Sequence, residues 1–175
     1  MTHQAFAFNE IHRHTDGGFY RPVGVASFAG DPGNESADGV LEIDHETGVP
    51  AGATLVARAK HSENQSAVVV FEPMNGGAWQ YRFADGDASH LGELGDLVLY
   101  EHLWPFEQSH WARPVAQFAS RFAPVGQGAL DDAQSAATTE QMQVKISAAR
   151  SERRQREKEA AQAAAGGSSG ARDGV

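Results

Sequence analysis

Apolar and polar residues alternate along "TLVARAK" (Thr54–Lys60) and "GVLEIDH" (Gly39–His45), the two-residue period of a strand with one buried face. "SAVVVFEP" (Ser66–Pro73) is a β-branched run that suits a central strand. "AWQYRF" (Ala78–Phe83) puts Trp79, Tyr81 and Phe83 on one face, and Gln80 and Arg82 on the other. "DLVLYEHLW" (Asp96–Trp104) is a further apolar run. "HWARPVAQF" (His110–Phe118) begins as a strand and reaches an edge or exit at Pro114. From there Val115, Phe118 and Phe122 are spaced helically, which predicts a short helix or a 3₁₀ turn capping the sheet. Turn sequences such as "ETGVPAG", "HSENQ" and "MNGG" separate these runs. Short strands at this spacing predict a mainly β domain, a small barrel or sandwich.

The pattern changes near Gln127–Asp132. All seven prolines and almost all aromatics precede that point. Beyond it, Ala, Gln, Glu, Arg and Lys dominate, and all are good helix formers. The predicted helix covers 135–163, with Thr139 as its N-cap and Glu140 in the first turn. Met142, Ile146 and Ala149 form one narrow apolar stripe. After residue 150 the helix is polar all round, so docking by its first half only is expected. "GGSSGARDGV" closes the chain as a disordered tail, 164–175. The remaining boundaries are an N-terminal arm over 1–14 and a β domain over 15–125, with an acidic, glycine-rich insertion at 29–53.

Two segments echo one another. "VVVFEPMNGGAWQYR" and "LVLYEHLWPFEQSHWAR" both run apolar triplet, aromatic, Glu, turn, Trp, Arg. Phe71 matches Tyr100, Glu72 matches Glu101, Trp79 matches Trp111 and Arg82 matches Arg113. Two similar hairpins pairing aromatic and β-branched residues account for this.

Several of these stretches resemble a small bacterial and phage domain family of unknown function. Gly18, Tyr20 and Arg21 match its opening, and His61, Ser62 and Glu63 match a His-Ser-Glu turn. Val69, Val70 and Phe71 match a Val-Val-Tyr strand, and Trp111, Arg113, Pro114 and Phe118 match the ending. The resemblance implies a small SH3-like antiparallel β-barrel and no defined activity. This chain departs from the family by its length and by the insertion. It also carries a second aromatic segment, so the Trp-x-Arg ending falls either on Trp79–Arg82 or on Trp111–Pro114.

Composition narrows the function. With 175 residues and 41% hydrophobic content, one ordinary core can form. Cys is absent, which excludes disulfides and thiolate chemistry. The net charge of -9 lies wholly on residues 1–130, which hold 16 acidic against 7 basic side chains. Such a surface disfavours nucleic-acid binding. No secretory signal and no apolar run of spanning length is read, so the expected setting is the cytoplasm of a bacterium or of a phage-infected cell.

The candidate chemistry is aromatic and cationic. Tyr20, Arg82, Tyr100, Trp104, Trp111 and Arg113 form the candidate ligand-binding set. Trp and Tyr stack on flat ligands or on peptide prolines, and Arg pairs with carboxylate or phosphate. The expected function is a non-catalytic binding module, with a groove for a protein segment or a small flat ligand and no cofactor. The alternative is a metal-dependent hydrolase using His12, His14, His102 and His110, with Asp16 beside the first pair. A third expectation is a phage accessory protein that self-associates through its C-terminal helix. "HSEN" (His61–Asn64) reads as a turn rather than a triad, because neighbours in a turn seldom align for nucleophilic catalysis. No phosphate-binding glycine motif occurs.

Overall fold

The computed structural model describes residues 7–30, 42–63, 65–85 and 95–166. In chain order the elements are β1 (His12–His14), β2 (Phe19–Phe28), β3 (Thr54–His61), β4 (Ala67–Glu72), β5 (Trp79–Phe83), β6 (Leu97–Trp104) and β7 (His110–Pro114). Then come α1 (Val115–Arg121), β8 (Phe122–Pro124), α2 (Gly126–Ala136) and α3 (Thr139–Gly166).

The sheet order is β5-β4-β3-β7-β6-β2-β1-β8, and β5 also pairs with β2. That last pairing closes six strands into a barrel. β2 makes it possible by its length of ten residues. Its first part pairs β1 (His12 opposite Tyr20), its last part pairs β5 in parallel (Ala26 opposite Trp79), and its other edge carries β6. β3 and β7 also run parallel, so the expected antiparallel barrel contains two parallel joints. β1 and β8 pair with each other beside the barrel.

Alternation decides which rings fill the interior. Val68, Val70, Leu97 and Leu99 point inward, against Tyr81 and Phe83. Ala26, Ala57, Ala59 and Ala112 make room for those two rings in a narrow lumen. The intervening residues point outward yet are buried too. Val69 and Phe71 pack under Val49, and Val98 and Tyr100 pack under Phe118 and Phe122. Burial on both faces is why β4 and β6 read as continuous apolar runs. Gly24 serves a close approach, because a Cβ there would meet the Trp79 ring at 2.4 Å.

Several expectations are corrected. The supposed N-terminal arm contains β1, and His12 and His14 are both buried. Within "GVLEIDH" the described part forms only an isolated bridge, Ile43 opposite Pro50. Most of the 29–53 insertion and the tail beyond residue 166 lie outside the described residues. α2 was not expected. It places Leu130 beside Met142 and Ile146 of α3, over Phe19 and Trp104. The α3 cap is Thr138, not Thr139: its Oγ1 accepts the Gln141 amide at 3.2 Å and its own N–H donates to Gln141 Oε1 at 2.9 Å. Thr139 is used differently, accepting the Trp104 indole N–H at 3.1 Å. Among the described residues, no helix is long and apolar enough to cross a membrane.

Candidate functional site

A cleft of about 280 Å³ opens where the outer face of β6 and β7 meets β1, β2 and α3. Its floor is aromatic. Tyr20 lies edge-on to Tyr100 at 5.6 Å and to Phe122 at 5.2 Å, and the His102 ring lies 4.6 Å from it. Trp111 and Phe106 extend the wall, with Phe106 5.2 Å from His102. Such rings reach one surface because Tyr100 and His102 sit two apart on β6, and Tyr100 pairs directly with Trp111 on β7.

The rim is cationic. Arg113 projects from β7 and lies over the Phe122 ring at 5.6 Å. Its Nε is buried without a hydrogen-bond partner. Arg150, on α3, donates to the Tyr20 hydroxyl at 3.1 Å and covers Phe106 at 5.0 Å. Arg153, one turn further, grips Asp16 with both arms of its guanidinium, at 3.2 and 2.7 Å. Burial alone would raise the Asp16 carboxyl, but the Arg153 hydrogen bond and the nearby positive charges hold it below its usual value.

Two histidines in the cleft are held neutral. Burial lowers His14 to about 4; Asp16 opposes this, while Arg113, Arg153 and Arg150 add to it. Its Nδ1 accepts the Asp16 backbone N–H at 3.0 Å, so the ring proton sits on Nε2. Burial likewise lowers His102 to about 4, opposed by the hydrogen bonds the ring donates to the backbone at Glu107 and Trp104. His102 is 3% exposed, and its Nε2 has no partner. Burial also raises both Tyr20 and Tyr100, so both phenols stay protonated near neutrality. Compared with family models, with curated proteins and with solved structures, the chain finds no match.

Of the residues singled out from sequence, Tyr20, Tyr100, Trp111 and Arg113 line the cleft together. Trp104 does not. β6 carries it past the cleft and beneath α2 and α3, where it is 7% exposed among Phe19, Met142 and Ile146. Arg82 does not either. It occupies the same register against Val69 that Arg113 occupies against Val98. On its side of the barrel, however, the loop at Gly48 folds over it, and the Gly48 carbonyl accepts from its Nη1.

The four histidines divide. His14 and His102 line the cleft, His12 packs against Phe118 at 5.7 Å, and His110 lies opposite Glu101 outside the cleft. Among the described residues, no group of three or more His, Asp or Glu side chains is placed to hold a metal ion. The sequence reading missed Arg150, Arg153 and Phe106 as cleft residues. A signal for the arginines was present: positions 142, 146, 150 and 153 continue one helical stripe, with guanidinium groups at 150 and 153 after the apolar Met142 and Ile146.

Proposed function

We propose that this chain is a non-catalytic binding module whose cleft takes a small flat ligand rather than a peptide. The observation that carries this reading is a concave, half-open cleft lined by aromatic rings. Tyr20, Tyr100, Trp111 and Phe106 surround a space of about 280 Å³, whose far wall is helix α3. That volume lies just below the ~300–1,000 Å³ typical of small-molecule sites. An extended peptide adds to a sheet along a free strand edge, and β6 and β7, which carry Tyr100, His102 and Trp111, are paired on both edges. The aromatic floor offers faces and edges for stacking, and the tyrosine hydroxyls and neutral imidazoles offer polar anchors. Trp111–Pro114 is the segment that carries the site, and α1 with Phe118 follows it at once. On this reading that segment, not Trp79–Arg82, corresponds to the Trp-x-Arg-Pro ending of the resembled domain family. A cytoplasmic setting is part of the same proposal.

The test is an NMR screen of aromatic fragments against the full chain, read at the indole N–H resonances. Ligands of the cleft move the Trp111 indole and leave the buried Trp104 indole in place. Fragments that shift only Trp79, or no indole at all, refute the reading. Trp111→Ala then weakens any hit by about tenfold, the usual worth of one stacking ring.

A further inference from the structure

The cleft carries a charge opposite to that of the whole protein. Four guanidinium groups line it, those of Arg113, Arg150, Arg153 and Arg154, against the single carboxylate of Asp16. The chain as a whole is at -9. Concentrating positive charge in one concave, partly desolvated place is the arrangement that selects an anion, because the walls focus the field there. The four arginines are not equally available. Arg153 is committed to Asp16 through a two-armed ion pair. Arg154 is exposed at the rim. Arg113 and Arg150 are the two with capacity to spare. Each spends a donor on a neutral phenol, Arg113 on Tyr100 and the Arg150 Nη2 on Tyr20; the Arg113 Nε is buried with no partner, and the Arg150 Nε lies 3.9 Å from Asp16.

The two are carried by different elements of the cleft wall, Arg113 by strand β7 and Arg150 by helix α3. His102 lines the same cleft, almost wholly buried and with its Nε2 unpartnered. Guanidinium forks on two walls match an anion with several oxygens pointing in different directions better than a planar carboxylate, which one fork satisfies. An unprotonated Nε2 asks in addition for a donor, an O–H or N–H on the same ligand.

We infer that the ligand is a small phosphomonoester, bound as its dianion between Arg113 and Arg150, with a hydroxyl or N–H of the ligand donating to His102 Nε2. This rests on the small-ligand reading of the cleft and adds the chemical class. The low basicity of His102 agrees with it, since the ring stays an acceptor throughout the physiological range.

Calorimetric titration of the full chain with phenyl phosphate, benzoate, phenol and inorganic phosphate, at matched ionic strength, tests the inference. Phenyl phosphate is expected to bind at least about tenfold more tightly than benzoate, as a charge-assisted pair of forks requires. Arg113→Gln and Arg150→Gln each weaken it by about tenfold or more, whereas Arg156→Gln, on the exposed part of α3, leaves it unchanged. Circular dichroism of each variant confirms that the fold is retained. Benzoate binding as tightly as phenyl phosphate overturns the dianion inference and leaves the small-ligand reading standing. Phenyl phosphate binding that survives both arginine variants overturns it as well. Inorganic phosphate binding as tightly as phenyl phosphate supports the dianion and refutes the flat-ring reading. Absence of binding by phenyl phosphate and phosphate alike overturns the inference.

Discussion

Acid should destabilise this protein well before its carboxylates protonate, and His102 gives the size of the effect. Burial moves its folded-state pKa from 6.5 down to about 4. Between those two values the unfolded chain binds a proton at this position and the folded chain does not. Stability from His102 is therefore complete above 6.5, is lost as pH falls through the interval, and is gone below about 4. The full shift corresponds to about 3 kcal/mol, of which roughly 2.5 kcal/mol is lost between about pH 7 and about pH 4.5. His14 acts in the same direction over the same interval. Asp16, whose carboxyl is lowered, adds its loss as pH falls from the usual carboxylate range towards its own lower value. Urea unfolding at a series of pH values reads the slope, and His102→Gln separates the two histidines. The variant should lose about half of the dependence between neutrality and about pH 4.5, the rest being His14. A His102 ring resonance that titrates near 6.5 in the folded protein, or a variant with an unchanged slope, would refute the reasoning.

Three further outcomes follow from packing. Ile146, on α3, is fully buried against Phe19, Trp104 and Leu130 of α2. Ile146→Ala should cost about 2–5 kcal/mol in urea unfolding and release the Arg150 contact with Tyr20, seen as loss of protection along α3 in hydrogen exchange. Gly24→Ala forces a methyl group into the Trp79 ring and should cost about 1–3 kcal/mol, with a changed near-ultraviolet signal; an unchanged signal would show that the ring is free to move. Thr138→Ala removes the hydroxyl half of the α3 cap and should cost about 1 kcal/mol, with faster exchange centred on the Gln141 amide that the hydroxyl accepts.

Much of the barrel was legible because its strands obey simple periods. The runs at Thr54, Ala67, Trp79, Leu97 and His110 became β3 to β7, and the helical spacing after Pro114 became α1. β2 was not read, although it organises the sheet. "FYRPVGVASF" interrupts its alternation with Pro22 and Gly24, at the position where its pairing with β6 shifts register. β1 and β8 are three residues each, too short to show a period. The cleft was half legible. Tyr100 and Trp111 stand opposite each other in a hairpin that the sequence predicts. Arg150 and Arg153 are more than 35 residues away from it, on a stretch whose polarity reads as a solvated face. The stripe through Met142, Ile146, Arg150 and Arg153 can be traced in the sequence, but only the fold shows that its cationic end faces the cleft.

The twin hairpins make Arg82 an internal counterpart of Arg113. Both guanidinium groups stand at the same step of the same strand pairing, on opposite flanks of the barrel. On one flank the chain furnishes the occupant itself, a backbone oxygen from Gly48 that meets Arg82 end-on. On the other flank Arg113 leans on the Phe122 ring and the Tyr100 phenol. The Gly48 carbonyl on Arg82 is thus the chain's own example of the oxygen acceptor that a ligand brings to a guanidinium at this step of the barrel.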